Sequence, residues 1–241
     1  MEHYKGCLIC GKELIYTQNA VDATCSLCGR QKSTNAACAK GHYICDTCHG
    51  LSALDYIETF CLASESTDPV ELATTLMRDS RIKMHGPEHH FLVPAVLLTT
   101  YYNKIGNADL KAEKLSQAKE RSKNVLGGFC GLYGNCGAGV GTGIFMSLLT
   151  DATPLSKESW RLSNRMTATS LMAISDHNGP RCCKRDVYLA LESAIRFVQE
   201  SHGVQLTNTE PVSCEFSAHN SQCIGDDCPY HRHLDIGQNL L

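Results

Sequence analysis

The sequence predicts a mainly α-helical protein, with a helical core domain between an N-terminal double metal-binding module and a short Cys/His-rich C-terminal tail. Three observations predict it. Seven of the fifteen cysteines, with one histidine, lie within residues 7–48 at the spacing of metal ligands. From residue 51 onward apolar residues recur at helical spacing between caps and proline stops, with no run of strand alternation. Three more cysteines and several histidines close the chain at 214–233. The implied units are residues 1–50, 51–205 and 206–241.

The first unit contains Cys7-x2-Cys10, Cys25-x2-Cys28 and the run Cys38-x3-His42-x2-Cys45-x2-Cys48. Each CxxC turn points two thiolates at one ion, and a second pair completes the tetrahedron that Zn²⁺ prefers. Eight ligands make two zinc sites, paired either consecutively (Cys7, Cys10, Cys25, Cys28, then Cys38, His42, Cys45, Cys48) or alternately. So short and glycine-rich a segment has too little apolar area to fold without such a staple. The last run resembles the knuckle of zinc-ribbon, treble-clef and RING-like folds. His49, beside the last ligand, reads as a supporting or solvated residue.

Composition narrows the partners. Charged residues make up 20% of the chain, the net charge is −3, and residues 1–50 hold only five Lys and Arg, so no nucleic-acid surface is expected. No signal peptide is read, nor any apolar stretch approaching the ~20 residues of a membrane span. Cysteines spaced for metals rather than bridges imply a reducing compartment, the cytoplasm.

Helices are expected next, in order. Residues 51–61 carry the first. Ser66-Thr67-Asp68-Pro69 caps a second that runs to about residue 78. Residues 89–103 form a buried helix with Pro94 near its start. Residues 108–123 form a two-faced surface helix. Thr153-Pro154 opens a long helix to about residue 175, which Asn178-Gly179-Pro180 stops. Residues 181–201 form the last, closed by Gly203. Cys61, alone in an apolar pattern, reads as a core residue.

Residues 127–143 hold eight glycines in seventeen positions, with Cys130 and Cys136 among them. Glycine at that density costs stability in regular structure, so a close backbone approach must require it. One reading is a loop of free amides before a helix, a cradle for an anion or for an iron–sulfur cluster held by thiolates. The other is a close helix crossing.

Cys136-Gly-Ala-Gly-Val140-Gly141-Thr142 resembles the Cys-x-x-x-Val-Gly-Ser signature of iron–sulfur-dependent L-serine dehydratases, which are similar in turn to L-cysteine desulfidases. Cys182-Cys183-Lys184-Arg185-Asp186 resembles that family's Cys-Ile-Glu-Arg-Asn, and Pro94-Ala-Val-Leu97 its Pro-Ala-Val-Leu helix. The resemblance spans residues 85–200. It implies an all-α catalytic domain with a [4Fe–4S] cluster held by three cysteines, one iron being open to substrate. Cys136 and Cys182 are then ligands, with Cys130 or Cys183 as the third. The family's Leu-Thr-Cys-Asp-Pro motif has no counterpart, since 174–180 reads Ile-Ser-Asp-His-Asn-Gly-Pro.

His85, Glu88, His89 and His90 stand at the entrance to the buried helix, a set able to bind metal or move protons near neutral pH. Arg181, Lys184 and Arg185 flank the cysteine pair, where they lower thiol pKa values and Arg185 receives a substrate carboxylate. In the tail, Cys214, Cys223 and Cys228 with His219, His231 or His233 make a further metal site. Two functions follow. One is an iron–sulfur lyase or sulfur-transfer enzyme acting on a small carboxylate, with His85, Glu88, His89 and Arg185 in catalysis. The other is a zinc-stapled adaptor, redox sensor or sulfur carrier whose zinc module meets a partner protein.

Overall fold

The computed structural model describes residues 7, 9–10, 12–208 and 210–231. His233 lies outside them. The fold is mainly helical, with one two-stranded antiparallel sheet.

The sheet belongs to the N-terminal unit: β1 (Leu14–Thr24) and β2 (Gln31–Cys38) pair from Leu14↔Cys38 to Thr24↔Gln31, with a bulge between Tyr16 and Val21. This hairpin was not read from sequence. Its strands are mostly exposed and carry little apolar alternation, so the usual half-buried signature is missing. A short helix α1 (Asp46–His49) follows.

The helical domain is built around α4 (Glu88–Ile105), in which Phe91, Leu92, Val93 and Ala95–Leu98 have no exposed surface. A helix apolar all round can only lie inside. It packs against α2 (Ala53–Ala63), α3 (Pro69–Met77), α5 (Ala108–Ser122), α7 (Gly137–Leu149) and α9 (Cys183–His202). The expected boundaries hold within two residues for most of these. Pro94 sits inside α4 rather than near its start and cannot donate to the His90 carbonyl four residues back. The Ser122 hydroxyl donates to that carbonyl instead, at 3.3 Å.

Two expectations are corrected. The helix placed from Thr153 begins five residues later, as α8 (Glu158–Ser175). Thr153 and Ser156 close a local turn instead: the Thr153 amide donates to the Ser156 hydroxyl at 3.0 Å and the Ser156 amide to the Thr153 carbonyl at 3.0 Å. The glycine-rich stretch is not a loop throughout. After the short α6 (Phe129–Leu132), residues from Gly137 onward are α7 itself, and their glycines are contact points. A Cβ on Gly141 would stand 2.9 Å from Pro94 Cδ and 3.1 Å from the His90 carbonyl, and one on Gly139 would stand 2.6 Å from Leu171. The glycines let α4, α7 and α8 approach closely.

Asp68 accepts amides from Val70 and Glu71 at 2.9 and 3.0 Å and starts α3. Arg81 ties the N-terminal unit to this domain: it donates to the Cys48 carbonyl at 2.8 Å, lies 4.0 Å over the Tyr56 ring, and pairs with Asp79 at 2.7 Å. Residues 206–208 and 210–231 return across α3 and α9, where Leu206, Phe216 and Tyr230 join the same core.

Candidate metal centres

The eight N-terminal ligands fall into two sets, Cys7, Cys10, Cys38 and His42, and Cys25, Cys28, Cys45 and Cys48. Within each set the ligand atoms lie within 4.8 Å of one another. The pairing is therefore alternate: first and third ligand pairs in one set, second and fourth in the other. The hairpin explains it. Strand pairing brings Leu14, four residues after Cys10, opposite Cys38, while the turn carrying Cys25 and Cys28 folds back so that the Ser26 amide donates to the Tyr43 carbonyl at 2.7 Å.

Both sets fit zinc. With Zn–S near 2.3 Å, tetrahedral thiolates stand about 3.8 Å apart. Here Cys28 and Cys45 sulfurs are 3.9 Å apart, Cys10 and Cys38 are 3.4 Å apart, and Cys7 Sγ lies 3.7 Å from His42 Nδ1. Backbone amides two residues on donate to the knuckle sulfurs, Ile9 to Cys7 at 3.4 Å and Lys40 to Cys38 at 3.3 Å. The Lys40 amide leads in drawing the Cys38 pKa down to about 6. Burial raises the Cys25 thiol, but the amides of Cys45, Cys28 and Leu27 outweigh it and bring Cys25 to about 6. Burial pushes Cys7 and Cys48 the other way. Four crowded sulfurs cannot all ionise without a cation, and a divalent ion relieves that repulsion.

Cys136, Cys182, Cys183, Cys214, Cys223 and Cys228 gather around the start of α9, whereas Cys61 is buried on α2. Cys136 and Cys182 are the N-cap residues of α7 and α9. Cys136 Sγ lies 3.6 Å from the Asp186 carboxylate. Burial, then that carboxylate, push the Cys136 thiol up to about 12, and burial raises Cys182 and brings Cys183 to about 11. Cys130 lies on α6, half-buried, and does not line the cavity described below.

The histidines flank these thiols. His85 Nε2 is 3.2 Å from the Asn220 side-chain oxygen, and the Asn220 amide donates toward Cys182 Sγ at 3.7 Å. His89 Nδ1 is 3.0 Å from the Gly86 carbonyl, and the Gly86 amide acts on the Cys183 thiol. The second nitrogen of each ring, His85 Nδ1 and His89 Nε2, is buried without a partner among the described residues. Burial, with Lys184 next, lowers His89 to about 3, so its ring is neutral. Glu88 and Arg185 are engaged elsewhere. The Lys83 amide donates to Glu88 at 2.8 Å, and Arg185 donates to Asp186 at 3.2 Å and to the Asn178 carbonyl at 3.1 Å.

A cavity opens between α9 and the C-terminal segment, lined among others by Cys182, Cys214, Cys223, Cys228 and His231. It holds about 420 Å³ of atom-free space, part of it open to solvent, of which about 20 Å³ takes the centre of a water molecule. His231 meets Asp226 at 3.1 Å, and His219 is exposed and does not line the cavity. Sequence reasoning missed Asp186 and Asn220, whose placement depends on a helix end and a loop brought together only by folding.

No curated protein and no solved structure matches this chain. A family match covers residues 57–231, more than half of the chain, and takes in the central and C-terminal cysteines but not the double zinc-type module. The chain belongs to the DUF5714 family, a family of unknown function.

Proposed function

We propose that this protein is an iron–sulfur-dependent enzyme of the lyase or sulfur-transfer class, acting on a small carboxylate substrate and stapled at its N-terminal end by two zinc ions. The observation that carries this reading is the pair of bare buried nitrogens, His85 Nδ1 and His89 Nε2, each ring one bridging group away from a thiol of the Cys182-Cys183 pair. An unpartnered buried polar atom costs about 1–3 kcal/mol. A fold that retains two at one place is shaped for something else to bind there.

The three short likenesses to iron–sulfur L-serine dehydratases point the same way. An iron–sulfur cluster at these thiols would supply a Lewis-acidic iron to draw off a hydroxyl or thiol. The chain itself supplies the proton handling. Neutral His89 accepts a proton, and the Asn220 amide fixes the His85 ring. In the elimination, a C–H proton passes to an imidazole and the C–O or C–S bond breaks. The departing group takes a proton and leaves as water or hydrogen sulfide. Arg185, engaged by Asp186, positions that carboxylate against Cys136.

The test is anaerobic purification, metal analysis, and assay of serine and cysteine for keto-acid release. Turnover that needs iron, and that falls at least tenfold in His85→Gln and His89→Gln, supports the reading. Iron-free protein, or turnover indifferent to both histidines, removes it. A second reading, an adaptor, is favoured by one observation: Ile15, Tyr16 and Val21 are exposed on the hairpin, Tyr16 by 74%. Capture of a partner through the hairpin by iron-free protein would favour that reading.

A further inference from the structure

We infer that Cys182, Cys214, Cys223 and Cys228 are the four thiolates of a single polynuclear iron–sulfur centre, which joins the cap of α9 to the C-terminal segment. From sequence these residues fall into two separate sites. The inference deepens the proposed function and rests on it for the identity of the metal.

The four cysteines line one cavity. Cys214 and Cys223 present their thiols as the zinc knuckles do: the Phe216 amide donates to Cys214 Sγ at 3.4 Å and the Gly225 amide to Cys223 Sγ at 3.4 Å. These match the contacts of Ile9 with Cys7 and Lys40 with Cys38. Such amides hold a sulfur in place and stabilise its anionic form.

Spacing argues for a cluster rather than one ion. Among the described residues only the two N-terminal sets bring three or more ligand atoms within 4.8 Å of one another. Four thiolates on one zinc must be that close. A cubane carries its thiolates on four different irons and so spreads them farther apart.

Charge gives an independent reason. Lys184, the second residue of α9, is 2% exposed. Its ammonium donates to the Met77 carbonyl at 2.8 Å and lies 4.2 Å from the centre of the Phe216 ring, with no carboxylate of the described residues in ion-pair range. A buried cation at the positive end of a helix is unfavourable unless an anion faces it. A cluster with four thiolates, net negative, supplies that anion. Assembly takes two ferrous ions, two ferric ions and four sulfides, so no electron is gained or lost, and each thiol gives up its proton to solvent. Cys223 is exposed, so its corner is the one a small molecule reaches.

The test reconstitutes the full chain with equal amounts of ferrous and ferric iron and with sulfide under nitrogen. Iron, sulfide and zinc per chain and the electron paramagnetic resonance of the reduced protein are compared for Cys→Ser variants at 182, 214, 223 and 228, and at 130 and 136. Expected are about four irons and two zincs, loss of iron and signal at 182, 214, 223 and 228 with both zincs retained, and no loss at 130 or 136. Lys184→Met should make the midpoint potential more negative, a shift that a packing role would not produce. Iron lost at 136 but kept at 214 and 228 would overturn the ligand assignment and leave the iron–sulfur reading standing. A third zinc in place of iron, or no bound metal beyond two zincs, overturns both. Iron kept at 223 but lost at 182, 214 and 228 would overturn the four-thiolate assignment in favour of three thiolates and one open iron.

Discussion

The sulfur of Cys136 stands 3.6 Å from the carboxylate of Asp186, so the caps of two helices forty-six residues apart in sequence, α7 and α9, share one buried acidic group. Asp186 is itself held by Arg185, and burial raises its carboxyl pKa. Replacing the carboxylate with an amide removes a negative charge next to the thiol. In metal-free protein, Asp186→Asn should therefore alkylate faster at Cys136 at pH 8, as read by peptide mass spectrometry. An unchanged rate would mean that burial alone sets the thiol.

The alternate pairing of the eight N-terminal ligands makes a prediction that consecutive pairing does not. Cys45→Ser should lose the ion shared with Cys25, Cys28 and Cys48 and leave the one held by Cys7, Cys10, Cys38 and His42, whereas consecutive pairing would cost the three-sulfur site instead. Cadmium-substituted protein should show two ¹¹³Cd resonances, one from a four-sulfur site and one from a three-sulfur site. Only the four-sulfur resonance should vanish in the variant. Because site energy is folding energy in small zinc modules, the lost site should also loosen the Arg81 contact with Cys48.

Gly141 separates packing from propensity. Alanine is the better helix former by about 1 kcal/mol. At 141, however, its methyl would press on Pro94 Cδ at 2.9 Å and on the His90 carbonyl at 3.1 Å, neither of which yields readily. Overpacking of this kind costs about 1–3 kcal/mol. Gly141→Ala should lower the melting temperature, whereas Gly131→Ala, with nothing within 4 Å, should leave it unchanged or raise it slightly.

His89 couples stability to pH. Its folded pKa of about 3 lies below the ordinary 6.5, so the unfolded chain takes up the proton first. Its contribution is complete above pH 6.5 and is lost as the pH falls toward 3. In that window the unfolding constant should rise by up to tenfold per pH unit on account of this group. His89→Gln should flatten that limb in urea titrations at pH 4, 5 and 6, and an unchanged slope would show that other groups set it.

Asp68→Ala tests a cap. Losing both amide contacts at the start of α3 should cost about 1 kcal/mol. Asp68→Asn should recover most of it, by thermal melts.

Helix content, most helix limits and the eight N-terminal ligands were legible because each depends on local chemistry: caps, proline stops, apolar period and CxxC turns. Asp68-Pro69 and Gly203 mark ends that would be ends in any tertiary setting. The start of α8 was misplaced because the Thr153 and Ser156 side chains bond to each other and to nearby backbone rather than to a helix. The glycines of α7 were ambiguous, since a loop and a crossing helix need the same absence of side chain, and only the positions of Pro94, His90 and Leu171 choose between them. Ligand pairing was likewise open, because four thiol pairs fit two ions in either order until the hairpin brings its ends to their partners. Only the tertiary structure placed Cys182 with Cys214, Cys223 and Cys228, and His85 with Asn220. Those contacts join residues some thirty to a hundred and thirty-five positions apart, a separation at which spacing carries no information and the packing of α9 against the returning chain decides.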